Sequence, residues 1–72
     1  MAHYIKDSYY IVFDGTSHYE VLGCDIEDEI SENDVEVVEG PFKADRFGRI
    51  PEKCEDRVAI LNDEAMGTHM YR

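Results

Sequence analysis

The hydrophobic pattern opens on a hairpin. Tyr4–Phe13 is dense in aromatic and β-branched residues, a composition that favours a strand. Asp14-Gly15-Thr16-Ser17 is a turn signal, and His18–Leu22 reads as the returning strand. Tyr9, Ile11 and Phe13 share one face, and Tyr19 and Val21 form the matching apolar set. Those sets meet on one side only if the loop has an odd number of residues, for instance Asp14-Gly15-Thr16. A two- or four-residue loop instead joins Tyr10 and Val12 to Tyr19 and Val21. The odd loop gathers the larger apolar face and is the preferred expectation.

Gly23 breaks the second strand. In Cys24–Asn33 the pair Ile26 and Ile30, four apart, allows one or two helical turns with Asp25 near the start, although the self-repelling charges make this a weak helix. Asn33-Asp34 reads as another turn. Asp34–Glu39 alternates, with Val35 and Val37 on one side and Glu36 on the other, as a half-buried strand does. Gly40-Pro41 is expected to end it, because Pro41 cannot donate to a continuing ladder. The last third supports two readings. Cys54, Val58, Leu61 and Ala65 fall at helical spacing, with Pro51 suited to a first turn and Gly67 to a cap. Val58-Ala59-Ile60-Leu61, bracketed by Glu55-Asp56 and Asn62-Asp63, suits a short strand equally well.

The stretch Asp34-Val35-Glu36-Val37-Val38-Glu39-Gly40-Pro41-Phe42, then Phe47-Gly48-Arg49-Ile50 and Arg57-Val58-Ala59-Ile60, resembles a KOW motif of the small SH3-like barrels, of the NusG C-terminal-domain type. In that pattern an alternating strand ends in a glycine, a second glycine opens the next strand, and a third strand closes a bent hairpin. The resemblance covers residues 34–61. It implies a mainly β fold, a small SH3-like barrel or curled antiparallel sheet with strands near 7–13, 18–23, 34–39, 47–50 and 57–61. It also implies contact with protein through barrel loops and an exposed strand, or with RNA as in ribosomal relatives. The alternative fold is α+β, a three-stranded sheet covered by a C-terminal helix over 52–66.

Composition narrows the functional classes. At 72 residues the chain has room for one small domain, residues 1–72, with a thin core. Acidic residues number 17 against 7 basic ones, a formal charge of -10. Residues 1–40 hold all of that imbalance, and Asp25, Glu27, Asp28, Glu29, Glu32, Asp34, Glu36 and Glu39 follow one another without a single Lys or Arg. Such a run cannot be buried unpaired and must face water or a basic partner. The charge argues against direct binding to nucleic acid or to an anionic membrane, and RNA-binding barrels are usually basic where this chain is acidic. No apolar run approaches the length of a bilayer crossing, and nothing after Met1-Ala2 reads as a secretory leader, so a cytoplasmic protein is expected. Cys24 and Cys54 are then expected to be reduced, partly buried thiols.

Catalytic and metal chemistry find little footing. Ser17-His18 and Thr68-His69 put hydroxyl and imidazole on adjacent residues, which point to opposite faces of a strand. His3, His18 and His69 are scattered, no CxxC pair exists, and Asp25–Asp34 lacks the central glycine of a calcium loop. No phosphate-binding glycine loop occurs, and no cofactor is expected. The expected function is that of a non-enzymatic acidic module docking on a basic protein surface. Asp25, Glu27, Asp28, Glu29, Glu32, Asp34 and Glu36 would carry the contact, and a nucleic-acid-mimicking inhibitor is a special case. A solvated face that keeps the protein soluble is the plainer use of the same charge. Phe42 and Phe47 flank Lys43-Ala44-Asp45-Arg46 and would plug a core. If exposed, either would serve as an aromatic anchor with Arg46 beside it; the KOW resemblance implies that an accessory protein of transcription or translation would use this loop. A small structural subunit of a larger complex is the remaining alternative. The basic cluster Lys43, Arg46, Arg49, Lys53 and Arg57 is interleaved with acids and reads as salt-bridged surface.

Overall fold

The computed structural model describes residues 4–67. The N-terminal hairpin forms as β1 (Ser8–Phe13) and β2 (His18–Leu22), antiparallel, with Val12 opposite Tyr19 and Tyr10 opposite Val21. The loop therefore holds four residues, Asp14–Ser17, and the odd-loop expectation is corrected. The reason is local. The Asp14 carboxylate accepts hydrogen bonds from the backbone N–H groups of Thr16 and Ser17, both at 2.8 Å, and Gly15 takes a positive φ of 97°. Nothing is lost by splitting the apolar residues, because both faces of β1 are covered.

Gly23 turns the chain through a 3-10 turn, Gly23–Asp25, into α1 (Ile26–Asn33). Asp34 closes that helix in the left-handed region, φ 53°, with its N–H on the Ile30 carbonyl at 3.0 Å. β3 (Glu36–Lys43) then pairs antiparallel with β1, for a sheet order β2-β1-β3. The strand continues through Gly40-Pro41, where the sequence pattern ends it. β3 lies at the sheet edge, and the register with β1 shifts between Tyr9 and Ile11, so no ladder donor is required at Pro41. Gly40 has φ 135°, and a Cβ there would lie 2.6 Å from Cδ2 of Tyr10, so the bulge needs glycine twice over.

The final element is α2 (Glu52–Gly67). Residues 47–50 lie in and just after a turn and residues 57–61 lie inside α2, so neither forms the strand that a barrel would need. The sheet is open, not closed, and the fold is α+β, as in the alternative with a helix over 52–66. Burial explains the outcome. Cys54 is fully buried, Val58 and Leu61 are half-buried, and Ala59 and Ile60 are exposed, a period of 3.6 and not of 2.

The sheet is sandwiched. Tyr10, Val12 and Val21 pack with Ile26 of α1 and with Val35, forming the principal core on one face. Ile11 points the other way and is fully buried under the α2 side, where Arg57 grips Glu39 and Asn62 grips His18. Among the described residues no helix is long and apolar enough to cross a bilayer. His3 and the Thr68-His69 pair lie outside the described residues.

Candidate functional site

α1 places four of its flanking and internal carboxylates on one stripe. Asp25, Asp28, Glu29 and Glu32 stand at i, i+3, i+4 and i+7, the spacing that brings side chains onto a single helical face. Ile26 leads the opposite, core-facing stripe, and its burial fixes the rotation of the helix. The acidic stripe thus forms one wall of a groove of about 640 Å³, whose other wall is Tyr19, Glu20, Val21 and Leu22 of β2, with Tyr9 at one side. Five carboxylates line it and no Lys or Arg does. Glu29 accepts hydrogen bonds from the Asn33 amide of its own helix at 2.9 Å and from the Tyr19 hydroxyl at 2.8 Å, and the second ties the helix to the strand. The same bond from Tyr19 raises the phenol pKa. Of the eight acids between Asp25 and Glu39, only Glu39 is held in an ion pair among the described residues, with Arg57 at 3.0 Å.

The groove is lined by residues of both faces of β2, so it runs along the strand's open edge. Which main-chain groups are open follows from the ladder. The Asp14 N–H donates to the Ser17 carbonyl at 3.2 Å, and bonded and non-bonded pairs alternate from there. Tyr19 and Val21 consequently turn their N–H and C=O toward β1, while His18, Glu20 and Leu22 turn theirs outward. At His18 the outward pair is taken by the Asn62 side chain. The Asn62 Oδ1 accepts from the His18 N–H at 2.6 Å, and the Asn62 Nδ2 donates to the His18 carbonyl at 3.1 Å. Oδ1 also lies 3.0 Å from His18 Nδ1. A single carboxamide thus occupies the place of a neighbouring strand.

A second surface feature follows β3. Asp45 closes a turn, its N–H donating to the Arg49 carbonyl at 3.0 Å and its carboxylate accepting from Phe47 and Arg49 N–H at 2.8 and 2.9 Å. Phe47 stands at the tip with 69% of its surface exposed, the Arg46 and Arg49 guanidinium carbons 5.9 and 5.0 Å from its ring centroid. Tyr9 ties this turn to the groove, since its hydroxyl donates to the Gly48 carbonyl at 3.1 Å.

The sequence-predicted residues are therefore divided between places. Asp25, Asp28, Glu29 and Glu32 converge. Glu27, Asp34 and Glu36 are exposed but do not line the groove, Phe42 is half-buried on β3, and Arg46 and Phe47 share the separate turn. Phe47 is not the core plug that sequence suggested. Of the basic cluster, Arg57 forms a salt bridge while Arg46 and Arg49 flank an aromatic ring. Glu20, Tyr19 and Asn62 are not marked as site residues by the sequence: Glu20 and Tyr19 reach the groove through the hairpin register, and no local signal points to Asn62.

Both cysteines are free, Cys24 exposed and Cys54 buried. Burial pushes the Cys54 thiol up to about 11, helped by the carboxylates of Glu20, Glu39 and Glu55. Among the described residues no group of three or more His, Cys, Asp and Glu side chains is placed to hold a metal ion. Comparison with protein-family models, curated proteins and solved structures finds no match to this chain.

Proposed function

We propose that this chain is a non-enzymatic acidic interaction module that docks on a basic protein surface through the groove between α1 and β2. The observation that carries this reading is the convergence of Asp25, Asp28, Glu29 and Glu32 on one wall of the groove and Glu20 on the other, without a cation among the lining residues. A fold with a thin core gains nothing in stability from crowding five like charges together. A basic partner would relieve their mutual repulsion and be steered toward them. A partner that ordinarily holds nucleic acid is the special case, in which DNA and this protein compete for one site.

The test compares two charge-reversed variants of equal net charge. Changing Asp25, Asp28, Glu29 and Glu32 to Lys removes the groove's field, and changing Glu27, Asp34, Glu36 and Asp63 to Lys leaves it. With a fluorescent lysine-rich peptide as probe, the first variant should lose binding and the second should keep most of it. Affinity should fall steeply as salt shortens the screening length below about 10 Å. Equal loss in both variants would reduce the groove to ordinary net charge. Circular dichroism confirms that each variant is folded.

A second reading draws on Phe47. Its exposure between Arg46 and Arg49 suits an aromatic anchor, in keeping with an accessory protein of transcription or translation that binds through the loop around Phe42 and Phe47. In that case Phe47→Ala abolishes partner binding with no change in thermal stability, while reversal of the groove charges has little effect.

A further inference from the structure

Both outer strands of a three-stranded sheet expose main-chain groups, and the two edges here differ. β3 carries Pro41 and two register shifts against β1, features that blunt an edge against further pairing. β2 runs against β1 without a shift and contains no proline. Its outward groups are stopped at one end by Asn62 on His18 and at the other by the 3-10 turn that begins at Gly23. Between these stops lies Glu20, its N–H and C=O facing away from β1, with the Leu22 N–H beside it. This open stretch borders the groove, and the groove's charge selects what can pair there.

We infer that the occupant of the groove is an extended basic segment of a partner protein, which adds to β2 as a short extra strand centred on Glu20. The inference rests on the docking reading and specifies its geometry. Side chains of an added strand alternate between the two faces of the sheet. One set turns toward the α1 carboxylates Asp25, Asp28, Glu29 and Glu32, and the other toward Leu22 and Tyr9, whose face the Glu20 side chain shares. The segment recognised therefore alternates a basic with an apolar residue, and only every second backbone N–H faces Glu20 and Leu22. A helix or a folded basic surface could satisfy the charges but would leave the Glu20 main chain unpaired.

The full 72-residue chain can be titrated with a peptide of alternating lysine and valine, and with two derivatives N-methylated on all lysines or on all valines. Strand addition predicts that one derivative binds at least about tenfold more weakly than the parent and the other binds like it, since only one set of N–H groups pairs. Hydrogen exchange of the Glu20 amide should slow by about tenfold or more on saturation, with the His18 amide unchanged because Asn62 already holds it. If both derivatives bind like the parent, and the groove reversal still abolishes binding, strand addition is wrong while docking stands. If the parent peptide binds the groove-reversed variant as well as the wild type, both ideas fall.

Discussion

Asn62→Ala removes the carboxamide that substitutes for a strand at His18. Two half-buried main-chain groups lose their partners, the N–H at 2.6 Å and the carbonyl at 3.1 Å. Intramolecular hydrogen bonds contribute about 1 kcal/mol each on a net basis, so the gross loss is about 2 kcal/mol. Alanine is the better helix former by roughly 0.5 kcal/mol, which offsets part of it. The expected net destabilisation is about 1.5 kcal/mol, or ~6–12 °C in Tm for a domain of this size. Asn62→Asp keeps an acceptor for the N–H but faces the His18 carbonyl with a second acceptor at neutral pH, so it should not rescue the loss. Asp63→Ala, one residue along and exposed, should stay within about 0.5 kcal/mol. Thermal and urea unfolding followed by circular dichroism measure all three, and amide exchange at His18 reports the bond directly. A Tm change below about 2 °C for Asn62→Ala, with His18 exchange unaltered, would show that water replaces the carboxamide at no cost.

Other expectations follow from packing and titration. Gly40→Ala places a methyl 2.6 Å from the Tyr10 ring at a φ of 135°, and should destabilise by about 2–4 kcal/mol in urea unfolding. A thiol reagent should modify Cys24 at once and Cys54 only with the rate of opening, because Cys54 is fully buried with its pKa pushed up to about 11; mass spectrometry distinguishes the two sites. The Ser17 and Thr16 N–H groups hold the Asp14 carboxyl below its ordinary value. That depressed pKa contributes stability above the unfolded-state pKa of about 3.9, and the contribution is lost as pH falls through the lower folded-state value. The gap in urea midpoint between wild type and Asp14→Ala should therefore be widest at pH 6 and close in more acidic solution. The Arg57–Glu39 pair, with side chains 41% and 37% exposed, should couple by no more than about 1 kcal/mol in a double-mutant cycle, falling with salt.

Local chemistry was legible and pairing was not. The strand around Tyr9–Phe13, the return at His18–Leu22 and the turn at Asn33-Asp34 all announce themselves through composition. The hairpin register does not, because apolar area alone favours the Tyr9, Ile11 and Phe13 face, and here both faces are buried by different helices. The same fact decides Val58–Leu61, since a helix was needed to cover Ile11. Pro41 ends strands that lie between neighbours, and nothing local says that β3 lies at an edge. For the site, four carboxylates at helical spacing were readable as a stripe once α1 was accepted. Their meeting with Glu20 depends on a tertiary contact, the Tyr19–Glu29 hydrogen bond, that no periodicity encodes.

The stopper on the β2 edge is not built into the hairpin but borrowed from α2, a helix that brings one fully buried side chain, Cys54, to the far side of the sheet. Whatever loosens that helix also uncorks His18 and lengthens the strand available for pairing. Resistance to sticking is thereby coupled to helix anchoring, and a substitution at Cys54 or Leu61 could make the protein adhesive without altering a single residue of β2.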